Sequence, residues 1–208
     1  MLATLETIAK NNESYRSLFS GESLLRNNAG GSWARVLKKS FATTARCSDL
    51  EPDARIAYCR AFHCDLLRYG RSDVDQLLDA RDHQGGYEDT HVVIGLLLVR
   101  DNGCYDPEVL DKHVAAVAET LLAAQRNDEE FSDLYAERVV CLYWAGFGGA
   151  VRPEWMDRIR RSQNADGGWG LRPGEPSHPH TTANAALALT YYLEGKPAQA
   201  TFYPAFPE

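Results

Sequence analysis

Three short segments of this chain set carboxylates beside imidazoles or hydroxyls. Glu88, Asp89, Thr90 and His91 are consecutive; Asp133, Tyr135 and Glu137 alternate along the second; Ser177, His178, His180, Thr181 and Thr182 make up the third. A carboxyl in a dry site beside an imidazole is tuned toward neutral pKa, the range in which a general acid or base works best. Asp89 and Asp133 are therefore the candidate acids or bases, with His91 and His180 as their partners. Tyr87, Tyr135, Trp144, Tyr191 and His178 are the candidates for holding a substrate, because aromatic faces suit a cation or a polyene. Cys59 and His63 stand one helical turn apart with Cys64 adjacent. They read either as core residues, which need no ligand to explain them, or as a nucleophile and base. No nucleophile elbow, phosphate loop or dinucleotide fingerprint occurs.

A recurring turn organises these residues. Leu77, Leu78, Asp79 and Ala80 align with Leu121, Leu122, Ala123 and Ala124, which carries Gln84 onto Asp128 and Tyr87 onto Phe131. Placing Gln125 on Gln163 then carries Asp128 onto Asp166 and Phe131 onto Trp169. A period of roughly 40 residues implies stacked helical hairpins. In the sharpest copy, Gln163, Asp166, Gly167, Gly168, Trp169 and Gly170, the glycine pair permits unusual backbone angles, the aromatic plugs a gap, and Gln and Asp bond helix-end amides.

This last turn resembles the "QW" repeat of the squalene/terpene cyclase and protein prenyltransferase superfamily, and the following stretch from Leu171 to Leu189 resembles that family's loop and inner helix. The resemblance covers roughly residues 72 to 194. It implies an α/α toroid with a central apolar cavity, a bracing rather than chemical role for Gln163, Asp166 and Trp169, and chemistry at inner-helix N-termini, where the positive dipole end favours acidic groups. The three segments above occupy those positions. The Asp-x-Asp-Asp acid of the class II cyclases is missing; Asp73 and Asp75, followed by Gln76, come nearest and open an outer helix. The Asp-Asp-x-x-Asp of diphosphate ionisation is missing too. Asp89 and His91 resemble the prenyltransferases' Asp-x-Cys zinc element with imidazole in place of thiolate, and His180 resembles their later histidine. By that resemblance Asp89, His91 and His180 would be the ligands if zinc is held. The competing reading makes Asp89 an N-cap and His91 a packed side chain, and no cofactor is otherwise expected.

The elements that must position these groups are helices almost throughout. Short helices are expected over Leu2 to Ile8, Ser14 to Arg26 and from Ser32 onward, and a fourth from Asp53 to Tyr69 with Gly70 as a left-handed C-cap. From Ser72 the repeats take over. Ser72 with Asp75 suggests a capping box, and Pro107 and Pro153 each occupy a first helical position. Val109, Leu110, His113, Val114, Val117, Ala118 and Leu121 give one apolar face, whereas His91 to Val99 is apolar all round and so belongs to a helix buried on all sides. The expected architecture is all-α: a single toroid-like domain over 1–208 of about ten helices in about five hairpins, with N-terminal helices over 1–71, repeats over 72–194 and a docked tail over 195–208.

Composition narrows the partners. A formal charge of −7 with no Lys/Arg cluster argues against nucleic acid. No apolar run approaches the roughly 20 residues of a membrane-spanning helix, and no secretory leader is evident, so the expected location is cytoplasmic. Five cysteines, odd in number and without a C-x-x-C pair, suggest reduced, buried thiols. The function expected is a terpene cyclase- or prenyltransferase-like enzyme that binds an apolar, isoprenoid or polyketide-like small molecule in a central cavity and cyclises or isomerises it by acid/base catalysis. The alternatives are a non-catalytic binding protein or partner subunit on a toroid scaffold, and a carbohydrate-active toroid. A homodimer is a possible way of closing the ring.

Overall fold

The computed structural model describes residues 54–64 and 67–194, with side chains from residue 56. Among these residues the fold is all-α. The helices expected before residue 54 and the tail expected to dock after residue 194 lie outside the described residues. Seven α-helices follow one another: α1 (Ala54–Phe62), α2 (Arg71–Asp79), α3 (Tyr87–Asp101), α4 (Pro107–Asn127), α5 (Asp133–Trp144), α6 (Pro153–Arg161) and α7 (Pro179–Glu194), with a 3₁₀ turn at Gly148–Ala150 before α6. None is long and apolar enough to cross a membrane. The described chain divides into two compact units, residues 54–124 and 125–194, the boundary falling inside α4.

In the first unit α1 packs on α2 and α3. Gly95 lets the helices approach closely: a Cβ there would lie 3.0 Å from a Leu77 methyl and 3.5 Å from the Ala61 Cβ. Leu77 and Ala61 are buried with Val92, Val93, Leu96 and Val99, so α3 is covered on nearly every side, as its continuous apolar run requires. α4 begins at Pro107 and buries Leu110, Val114, Val117, Ala118 and Leu121. This is the expected single apolar face.

Two local expectations are corrected here. α1 ends at Phe62, and Gly70 is the N-cap of α2 in extended geometry (φ −152°). The capping carboxylate is Asp73, whose Oδ2 accepts the Gly70 N–H at 2.8 Å, rather than Asp75. Asp73 also accepts Arg60 Nε–H at 2.5 Å, so one buried acid ties α1 to the start of α2. Glycine suits either end of a helix, and the partner three residues on decides between them.

The cysteines also depart from expectation. Cys64, just after α1, forms a disulfide with Cys104 in the turn after α3; Cys59 is disulfide-bonded as well, and Cys141 stays a buried thiol. Spacing rules detect C-x-x-C motifs, whereas this pair is 40 residues apart and meets only because α1 and α3 pack together. Closing so long a loop restricts the unfolded chain, so Cys104→Ser is expected to cost about 2–4 kcal/mol. Urea unfolding should register that loss, and reductant should lower the midpoint of the wild type by more than that of the variant.

In the second unit α5 packs along α7, and α6 packs on α7. α7 turns small residues inward, with Ala185 and Ala188 fully buried. α6 starts with Pro153 at its first turn and buries Trp155, Met156 and Ile159.

Candidate functional site

The turn between α6 and α7 braces the site. The Trp169 side chain is buried; its Nε1–H donates to Ile159 O at 2.6 Å and its backbone N–H donates to Thr182 Oγ1 at 3.0 Å. Gln163 Nε2–H donates to Gly167 O, and Asp166 accepts Gly168 N–H and Ser177 Oγ–H, bonds that hold its carboxyl below the usual carboxylate range. Gly167 has φ +85°, which only glycine adopts readily. Asn164 donates to Glu175 O and Ser177 Oγ, and His178 N–H donates to Trp169 O at 2.7 Å. The loop thus delivers Pro179 and His180 to the first turn of α7 in one orientation, with Gln163, Asp166 and Trp169 each bonded into the turn.

α5 meets α7 at that turn. Ser132 caps α5 by accepting Tyr135 N–H at 3.1 Å, which places Asp133 and, one turn on, Glu137 on one helix face. His180 Nδ1–H donates to Asp133 at 2.9 Å to one oxygen and 3.0 Å to the other, and Thr181 Oγ1–H donates to Asp133 Oδ1 at 2.5 Å. Because a carboxylate only accepts, the proton sits on Nδ1 and Nε2 is the working nitrogen of the neutral ring. Nε2 lies 3.4 Å from Glu137 Oε2 and 3.4 Å from the Asn184 amide nitrogen. One neighbour accepts a proton and the other donates one, so both protonation states of the ring find a partner.

Burial is uneven across the group. The side chains of Asp133 and Glu137 are only 7% and 4% exposed, while that of His180 is 49% exposed. The carboxylates are fixed inside and the imidazole opens the site to solutes. Asp133's hydrogen bond raises the His180 pKa, against the opposing effect of burial, and the charges of Asp133 and Glu137 reinforce the rise. His178, whose ring meets that of His180 edge-on at 6.4 Å, is shifted down, mainly by burial. One turn beyond Glu137, Cys141 is buried, and burial pushes its thiol well up, with Glu137's charge adding to the effect.

The other expected site residues stand elsewhere. Asp89 is fully buried; it accepts Arg81 Nε–H at 2.7 Å and Gly85 N–H at 2.8 Å, while Arg81 also donates to Thr120 Oγ1 at 2.9 Å. His91 is exposed on α3, its ring 5.5 Å from Tyr58 and 6.3 Å from Tyr87. Asp89 and His91 therefore point different ways, as residues two apart on a helix do. They lie in the first compact unit and His180 lies in the second.

Tyr135 is buried, its hydroxyl accepting from Arg158 at 3.2 Å with the Arg158 guanidinium 5.4 Å from the ring centre. Burial raises its pKa. Trp144 Nε1–H donates to the Tyr191 hydroxyl at 3.1 Å, and Tyr191 packs 5.6 Å from Tyr143. A shallow groove of about 350 Å³ on α6, lined by Glu154, Asp157, Arg158, Arg161 and Ser162, includes none of the acid/base residues. The sequence places Glu137 and Thr181 in the candidate segments without giving them a role, and it does not point to Asn184. The signal was present in two of them: Glu137 follows Asp133, and Asn184 follows His180, by one helical turn. No protein-family model, curated protein or solved structure matches this chain.

Proposed function

We propose that the chain is an acid/base enzyme in which His180 transfers the proton, Asp133 orients it, and Glu137 takes up or supplies the proton at Nε2. The observation that supports this reading is the pairing of a fixed, buried Asp133 with a half-exposed imidazole whose Nε2 has both an acceptor and a donor at 3.4 Å. A role in packing alone would not require the ring to open to solvent.

In this reading the repeats belong to a toroid-like hairpin array related to the terpene cyclases and prenyltransferases. The substrate is an apolar, isoprenoid or polyketide-like molecule that is cyclised or isomerised; His178, beside His180, is its nearest aromatic candidate, and the bonded Trp144 and Tyr191 stand at the other ends of α5 and α7. Asp89 and His91 take structural parts. The Cys64–Cys104 bond favours an oxidising compartment over the cytoplasm, because cytosolic thiols are kept reduced.

The test is incubation of wild type and His180→Gln with a panel of linear isoprenoids and polyenes in chelator-containing buffer, with products read by gas chromatography and mass spectrometry. A cyclised or isomerised product that disappears in the variant supports the reading. Absence of any His180-dependent product across the panel, with both proteins folded, overturns it in favour of a binding protein.

A further inference from the structure

Asp133, Glu137 and His180 each offer a ligand atom, and the three atoms lie within 4.8 Å of one another. We propose that they form a binding site for one divalent first-row transition ion such as zinc. The inference rests on the reading above in taking these three side chains as one site. It goes beyond that reading in the ligand it assigns.

The donor set is one imidazole nitrogen and two carboxylate oxygens, the mixture that zinc and its neighbours accept. Bonds of about 2.0–2.2 Å in a tetrahedral site put ligand atoms roughly 3.3 Å apart. His180 Nδ1 lies 2.9 Å from Asp133 and Nε2 lies 3.4 Å from Glu137 Oε2, so the ring has a carboxylate beside each nitrogen but can offer only one nitrogen to the ion. With one nitrogen as ligand, the three atoms close from within 4.8 Å to the tetrahedral spacing by side-chain rotation, and the proton shared between Nδ1 and Asp133 gives way to the ion.

The supporting structure is also of the right kind. The carboxylates come from one face of α5 and the imidazole from the first turn of α7, so all three sit on helices packed against each other. Thr181 Oγ1–H holds one Asp133 oxygen, and the Asn184 amide lies beside the ring, the type of outer contact that orients metal ligands. Two ionised carboxylates outweigh one imidazole even when it is protonated, and a dication held by them with the imidazole neutral cancels that excess inside a mostly buried site. The exposed edge of His180 gives the ion its path in.

Isothermal titration of the chelator-stripped full chain with zinc chloride tests the site. The expected result is one ion per chain, with affinity reduced more than about tenfold in His180→Gln and in Glu137→Gln, and about tenfold in Thr181→Val. His113→Gln, on α4, should bind as the wild type does. Circular dichroism of each variant confirms that it is folded. No stoichiometric binding, or binding unchanged in His180→Gln and Glu137→Gln, overturns the inference. The two readings fail differently. A missing titration signal with His180-dependent product intact removes the metal alone, whereas zinc binding that needs His180 without any such product removes the acid/base reading alone.

Discussion

Replacing Asp133 by Asn is expected to lower turnover of the substrate found in the panel by about 10²- to 10⁴-fold, the range that one positioned acid/base partner contributes. The side chain keeps its shape, and Thr181 Oγ1–H can still donate to the remaining oxygen. What changes is the nitrogen of the new amide, which cannot accept His180 Nδ1–H. The ring then moves its proton to Nε2 or turns away, and Nε2 no longer takes a proton from substrate. The loss should fall on kcat with KM little changed, because Asp133 is buried and bonded to Nδ1, the far nitrogen of the ring from the working Nε2. Steady-state kinetics with a thermal melt on the same sample gives the comparison. A variant that keeps wild-type kcat would assign Asp133 to packing.

Asp89→Ala is expected to do the opposite, costing about 3–5 kcal/mol of stability, the usual result of stranding one member of a buried ion pair. Asp89 is fully buried and Arg81 nearly so, its side chain 11% exposed. Removing the carboxylate leaves the guanidinium with Thr120 Oγ1 and takes away the acceptor of the Gly85 N–H, in a turn so tight that a Cβ on Gly85 would meet the Ala124 methyl at 2.5 Å. Urea unfolding measures the cost. The double variant Arg81→Met, Asp89→Leu should recover much of it, since matched apolar residues replace a buried pair with little penalty. A single-variant loss below about 1 kcal/mol, the size expected of an exposed pair, would contradict this structural role.

These two aspartates show how far the sequence can be read. Both stand near the start of a helix and both are candidate acids, for identical local reasons. Proximity in sequence pairs Asp89 with His91, yet residues two apart on a helix diverge, and the partner of Asp89 comes from the preceding turn as Arg81. Asp133 and His180 are each visible as chemical groups, but nothing local indicates that α5 and α7 lie side by side, so their pairing is not legible. Elements defined by local chemistry are read more easily. Pro107 and Pro153 mark helix starts as expected, and the aromatic Trp169 does plug the turn that it closes. The Cys64–Cys104 bond, like the Asp133–His180 bond, is a product of packing.

The most direct measurement is the titration of the His180 ring by NMR in chelator-treated protein, in wild type and in Asp133→Asn. Its raised pKa means that the imidazolium is favoured by the folded state. The resulting stabilisation is fully present below the ordinary histidine value and fades as pH rises through the higher native one. The groups facing the ring are Asp133, Glu137, His178 and the Asn184 amide. The account predicts a His180 midpoint above the ordinary histidine value, above that of His178 in the same spectrum, and lower once Asp133 is Asn. A His180 that titrates at or below the ordinary value, unmoved by that substitution, would contradict it.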